Sequence, residues 1–191
     1  EALKLLEDEA IIHAQHGRGR FVSAGASLSI ARPITKFESA STMVRSHGYE
    51  TSTEVLGFSI VAAEPDLAKD LRRKAGDRLV RVERLRRTKA EPLIYSVDYI
   101  PRDLLPETLN PSEWSGSIVE LLAGLGHEPI ASTATVSAVT LPPDLAGLHA
   151  LQDFGPALLI RETCFSARGE AVLLAMDYHR GSAFKFSFLR K

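Results

Sequence analysis

The sequence predicts an α+β fold, an antiparallel sheet with helices packed on it, and three observations carry that prediction. Two pairs of β-prone runs, 78–88 with 92–100 and 157–165 with 171–179, are each joined by a short turn. Hairpins of this kind build antiparallel sheets. Short helix patterns, opened by Pro or Ser, lie between the strand runs and must bury an apolar stripe against them. Apolar residues make up 45% of the chain and charged residues 25%, enough for the packed core of an ordinary globular protein.

The elements follow in chain order. Ala2, Leu3, Leu5 and Leu6 form one apolar face, so residues 1–9 read as a helix already under way, and residues of the natural protein are expected upstream. Ile11–His13 and Arg20–Val22 are short strand candidates around a turn with Gly17 and Gly19. Residues 24–36 are small and polar, without period, and predict a linker. A short helix over 40–47 ends at Gly48, and 52–63 is β-prone. Pro65 starts a helix through Leu71. After the first long hairpin, Ser115 or Ser117 caps a helix that Gly126 closes. A strand over 130–140, a helix from Pro142–Pro143 to about Leu151, the second long hairpin and a run at 184–189 complete the chain.

Composition limits function. The net charge is -1, so nothing global points to a nucleic-acid coat or a membrane-surface binder. No apolar run approaches the roughly 20 residues that span a bilayer, and no signal peptide is visible. Cys164 is the only cysteine, which excludes an internal disulfide and disfavours a cysteine zinc site. These features favour the cytoplasm. The six histidines lack metal-ligand spacing, and there is neither a Gly-x-Ser-x-Gly elbow nor a phosphate-binding glycine loop. No cofactor, metal site or catalytic residue is expected.

The segment EALKLLEDEAIIHAQHGRGRFVS, ending Gln15-His-Gly17-Arg18-Gly19-Arg20-Phe21-Val22, resembles the end of the winged helix-turn-helix of GntR-family bacterial regulators. The rest resembles the UTRA effector domain of the HutC subfamily. The matching segments are Arg81-Val-Glu-Arg84-Leu-Arg86, Glu91-Pro92-Leu93 with Tyr99-Ile-Pro101, and Asp177-Tyr-His-Arg180-Gly181. The resemblance covers nearly the whole chain. It implies a winged-helix remnant over 1–23, a linker over 24–38 and a chorismate-lyase-like effector-binding and dimerisation domain over 39–191. It also implies a homodimer, a small effector and operator DNA as partners, and a repressor rather than an enzyme. The alternative is a stand-alone ligand-binding or lyase-like enzyme domain, since fold does not carry activity. The chain departs from the family at Ala10, where a glycine is usual. It also has Ser96 and Leu173 where sugar-phosphate sensors carry Glu, which argues against an amino-sugar phosphate as effector.

Candidate site residues follow from strand geometry and from the resemblance. Arg84 and Arg86 share a strand face and could clamp an anion with two parallel forks; the alternative is a solvated basic face. The resemblance implies that Ser39 or Ser41 and Ser117 supply hydroxyls to such an anion, although Ser117 serves equally as a plain helix cap. Ser96 and Asp98 lie on one face of the next strand, and Asp177 shares a face with Leu173, a ligand-contacting position in relatives. Either carboxylate takes an effector amine or hydroxyl, or simply pairs with an arginine such as Arg180. Gly17, Arg18 and Gly19 form the wing tip, where one guanidinium suits a narrow minor groove. Residues 1–23 carry three basic and four acidic side chains, so the wing alone should bind DNA poorly.

Overall fold

The computed structural model describes residues 3–4, 12–15, 17–22, 30–33, 37–46, 48, 50–88, 91–108 and 114–187. The chain divides into two compact units, 1–36 with 181–191, and 37–180.

In the smaller unit, β1 (Ile12–Gln15) and β2 (Gly19–Val22) form the expected antiparallel hairpin, Gln15 pairing with Gly19. Gly17 and Gly19 have φ of 77° and 103°, a region closed to most side chains, so the two glycines make this turn possible. Of the expected helix over 1–9, Leu3 and Lys4 are helical and the rest lies outside the described residues. The stretch expected as linker contains a strand, β3 (Ile30–Pro33). It pairs in parallel with the C-terminal strand Phe184–Ser187, which therefore groups with this unit rather than with the larger one. Four residues without hydrophobic alternation carry no local strand signal; the pairing comes from a segment some 150 positions away in the sequence.

The larger unit is built on one six-stranded antiparallel sheet. Its members are β4 (Ser52–Ala62), β5 (Arg78–Arg87), β6 (Pro92–Pro101), β7 (Pro129–Val139), β8 (Ala157–Ser166) and β9 (Ala171–Arg180). The strand order is β4-β5-β6-β9-β8-β7, so two three-stranded meanders join at β6 and β9. The helices are α1 (Ala40–Ser46), α2 (Pro65–Asp70), α3 (Ile118–Gly124) and α4 (Pro143–Leu148).

Both faces of the sheet centre are covered. On one face Val80, Val82, Ile100, Leu173 and Ala175 pack with Trp114, Ile118 and Leu122. On the other, Leu85, Tyr95, Val97 and Tyr178 meet Leu141, Leu151 and Phe154, and Leu79 and Leu174 meet Ala68 and Leu71. This double coverage explains why β5, β6 and β9 are buried almost continuously instead of alternating. The second face also holds a buried polar cluster. Glu83 accepts hydrogen bonds from Tyr95 Oη at 3.0 Å and Arg81, and lies 2.9 Å from His149 Nε2. Burial opposes ionisation of Glu83, but His149, Arg81 and Tyr95 outweigh it and hold the carboxyl below its ordinary range.

Three helices end in the same way. Arg73, His127 and Leu151 each bond the carbonyl five residues back, and the residue before each takes positive φ. Only Gly126, at 81°, is a glycine; the others are Arg72 at 51° and Ala150 at 52°. The last helix was expected to run to about Leu151 and stops at Leu148, because a non-glycine cap gives no warning in the sequence.

Two predictions follow from these features. Left-handed backbone at a side-chain-bearing residue costs about 1–2 kcal/mol, so Ala150→Gly should raise stability by about 1 kcal/mol. In contrast, Ala123→Gly, on an exposed position of α3, should lower it by about 0.5–1 kcal/mol. Urea unfolding of the pair reads the opposite signs. The lowered Glu83 carboxyl stabilises the fold above the ordinary glutamate range, and that contribution is lost as pH falls through the folded value. Glu83→Gln should therefore flatten the acid limb of a stability-against-pH curve relative to the wild type.

Candidate functional site

The register of the sheet centre brings the polar residues of one face together. Arg84 on β5 lies opposite Ser96 on β6, and Ser96 lies opposite Asp177 on β9. Asp98 and Arg86 sit two residues along on the same face, since strand side chains alternate. Residues 37–40 at the start of α1, and 117–119 at the start of α3, enclose this row. The result is a small cavity of about 40 Å³, lined by Ser39, Arg84, Arg86, Asp98, Ser117 and Asp177, with Cys164, Leu173 and Ala175 among its walls.

The two arginines do different things. Arg84 is 3% exposed, and its Nε and Nη2 donate to Asp98 Oδ2 at 3.1 and 2.8 Å. Its Nη1 donates to the Gly116 carbonyl at 2.9 Å. The fork is thus occupied, and Asp98, itself 2% exposed, is its counter-ion. Burial pushes the Asp98 carboxyl up, against the opposing pull of Arg84. Arg86 is equally buried; its Nη1 donates to the Ser96 hydroxyl at 3.0 Å, and its Nε has no hydrogen-bond partner among the described residues. Burial, reinforced by neighbouring Arg84, lowers its pKa to about 10, so the side chain is still a cation at neutral pH. Ser96 in turn donates to Asp177 Oδ1 at 2.5 Å.

The structure brings together six of the eight residues singled out for the site as lining, and Ser96 lies directly beneath them, fully buried. Ser41 is half-buried and is not part of the wall. Ser39 caps α1 by accepting from Thr42 N at 3.1 Å, and Ser117 caps α3 by accepting from Glu120 N at 3.3 Å. Both hydroxyls therefore hold helix ends as well as facing the cavity. The two arginines do not form the expected symmetric clamp: Asp98 takes Arg84, and of the two cavity-lining guanidiniums Arg86 is the one with a donor unpartnered among the described residues. Arg180 pairs with Glu91, not with either aspartate. Sequence reasoning missed Glu38 and Glu162, which also line the cavity. Glu162 had a signal, a lone carboxylate between Ile160 and Cys164 on an otherwise apolar strand face.

A larger cleft of about 650 Å³ lies on the opposite face, between α2 and the sheet. Its two arginines are engaged, Arg81 with Glu83 and Arg161 with Asp70 at 2.5 Å, so it offers no unsatisfied guanidinium comparable with Arg86. In the smaller unit, Gly17, Arg18 and Gly19 sit at the tip of the β1–β2 hairpin, all exposed. Among the described residues no helix is long and apolar enough to cross a membrane.

The chain is 24% identical over 187 residues to the HTH-type transcriptional repressor NagR of Bacillus subtilis, spanning 97% of this chain and 75% of that protein. The fold superposes on the crystal structure of PhnF from Mycobacterium smegmatis with a TM-score of 0.73 and 17% identity, covering all of this chain and 82% of the other. A putative transcriptional regulator from Streptomyces coelicolor superposes at 0.63 with 25% identity, over 74% of this chain and 96% of that one. Residues 46–185 match the UTRA domain, which is most of the chain and includes the whole cavity face of the sheet, so this protein belongs to the UTRA domain family.

Proposed function

We propose that the chain is the effector-sensing and dimerising part of a bacterial DNA-binding transcription repressor of the GntR family, HutC subfamily, acting in the cytoplasm. The observation that carries this reading is Arg86, a buried cation with one N–H unpaired, facing a cavity between two helices. A charged donor left unsatisfied in the interior is costly unless a ligand completes it, so the site favours a small effector with an anionic group. The wall at 37–40 directly follows the segment leading from the β1–β2 hairpin, which offers a covalent route from an occupied cavity to the DNA-contacting part. A coupling on the order of 1–3 kcal/mol suffices for regulation. The Gly17-Arg18-Gly19 tip is the proposed wing that meets operator DNA.

Binding is favoured over catalysis by the chemistry of the walls. Burial pushes the Cys164 thiol far up, so it is no nucleophile at neutral pH. Similarity to a repressor over both units of the chain also favours a regulator over a stand-alone lyase-like domain.

Homodimer formation is supported by the edge strand β7. Pro129–Val139 contains no charged side chain and is exposed along most of its length, with Ile130 at 55% and Val136 at 39%. Long uncharged edges are normally blunted by charge or covered by a partner, and a second copy of the chain is the occupant proposed here.

Two predictions test this reading. Arg84→Ala strands the buried Asp98 carboxylate and should cost about 3–5 kcal/mol in urea unfolding. Arg86→Met removes a half-satisfied buried cation, so it should leave stability equal or higher while abolishing ligand-induced thermal stabilisation. Equal destabilisation by both changes would contradict the division of labour between the arginines. Val136→Lys should shift light scattering from dimer to monomer with an unchanged circular dichroism spectrum; a persistent dimer removes β7 from the interface.

A further inference from the structure

The cavity between α1, α3 and the sheet encloses about 40 Å³, room for a few water molecules. Sites for small organic ligands run to about 300–1,000 Å³. An effector therefore enters only if a wall moves. The floor is held from both sides, since β5, β6 and β9 are inner strands packed on both faces. The start of α3 is tied to that floor, because the Gly116 carbonyl accepts from buried Arg84 and Ser117 and Ile118 are themselves buried. The wall at 37–40 is half-buried along its whole length, with Phe37 resting on the core around Trp114. It is the wall best placed to move.

A pair of strands in the smaller unit restrains it. Three residues, 34–36, separate Phe37 from β3, and three residues, Gly181–Ala183, separate the end of β9 from the C-terminal strand Phe184–Ser187. These two strands pair in parallel, Phe184 opposite Ile30 and Ser187 opposite Pro33. One strand thus continues from the cavity wall, the other from the strand that carries Asp177. The β9 end is anchored: Arg180 donates to Glu91 at 3.0 Å and to the Asp153 carbonyl at 3.5 Å. Three intervening residues span at most about 14 Å, so the pairing leashes Phe37 to a fixed point of the sheet. The leash can release, because a two-stranded ladder of four residues is marginal and parallel pairs are the weaker kind.

We propose that the pairing of β3 with the C-terminal strand is a strap that keeps the cavity closed, and that its release frees the 37–40 wall to admit an effector. This rests on the reading of the cavity as the effector site. It also gives binding a consequence for the hairpin: β3 lies in the chain between the β1–β2 hairpin and the wall, so release lengthens the unpaired chain joining them.

The test needs no ligand. Cys164 lines the cavity at 2% exposure, and its labelling by N-ethylmaleimide, followed by mass, reads the population in which the cavity is open. Successive strand N–H groups point to alternate sides, so two adjacent prolines remove at least one ladder donor. Lys185→Pro with Phe186→Pro, and separately Ile30→Pro with Ala31→Pro, should each speed labelling about tenfold or more. The urea midpoint read by Trp114, the only tryptophan, should stay that of the wild type. All four changes together should do no more than the stronger pair, since one ladder is lost only once. A second measurement locks the strap: Ala31 and Lys185 are registered partners, within disulfide reach. Ala31→Cys with Lys185→Cys, oxidised, should slow Cys164 labelling about tenfold or more below the wild type, and dithiothreitol should restore it. Unchanged labelling in the proline pairs, effects that multiply, or an oxidised form that labels at the wild-type rate would each overturn the strap. None of these outcomes touches the effector reading, which stands or falls on the ligand-induced stabilisation that Arg86→Met should abolish.

Discussion

The antiparallel pairing of β6 with β9 is the constraint on which the rest of the larger unit depends. Each three-stranded meander is local in sequence and could form from its own turns. Only the β6–β9 ladder, running from Ile94 opposite His179 to Tyr99 opposite Leu174, joins them into one sheet. Because strand side chains alternate, a slip of one residue would carry Asp177 and Leu173 to the opposite face. The register is held by what it buries: Ala175 and Leu173 toward Trp114 and Leu122, Tyr178 and Leu174 toward Leu151 and Leu71. The same register sets Ser96 against Asp177 and so assembles the polar row of the cavity.

Within that row, two residues of one type are satisfied to different degrees. Arg84 is saturated by Asp98 and the Gly116 carbonyl, and it ties the sheet to the loop before α3. Arg86 is held by Ser96 with a donor to spare. Buried charge is tolerated when it is paired and is a liability when it is not. A liability kept in the middle of a well-packed face is where function is best sought, since stability alone would favour an apolar residue there.

Much of the fold was legible. The hairpins at 78–101 and 157–180, the Pro-initiated helices, the Ser117 cap and the glycine-closed turns are all local signals, and each element lies within a few residues of its expected place. The parallel pairing of Ile30–Pro33 with Phe184–Ser187 was not legible, because both segments are short and their partner is remote. The helix end at Leu148 was missed because Ala150 accepts the left-handed conformation that glycine normally advertises. In the site, residue types and strand faces were readable: Arg84, Arg86, Ser96, Asp98 and Asp177 do share one face.

By itself the sequence determined the α+β class, the order of elements and the face on which each strand carries its charges, because period and turn chemistry act over a few residues. Which meander lies beside which, and therefore which carboxylate meets which guanidinium, was decided only by tertiary structure. Asp98 and Asp177 are the same residue type on one sheet face, yet one neutralises Arg84 and the other stands across Ser96 from Arg86. That difference comes from diagonal neighbours within one meander and a cross-strand pair between two. Distances between elements remote in the chain, fixed by packing on both sheet faces, separate a closed ion pair from a cation and a carboxylate held apart by one hydroxyl.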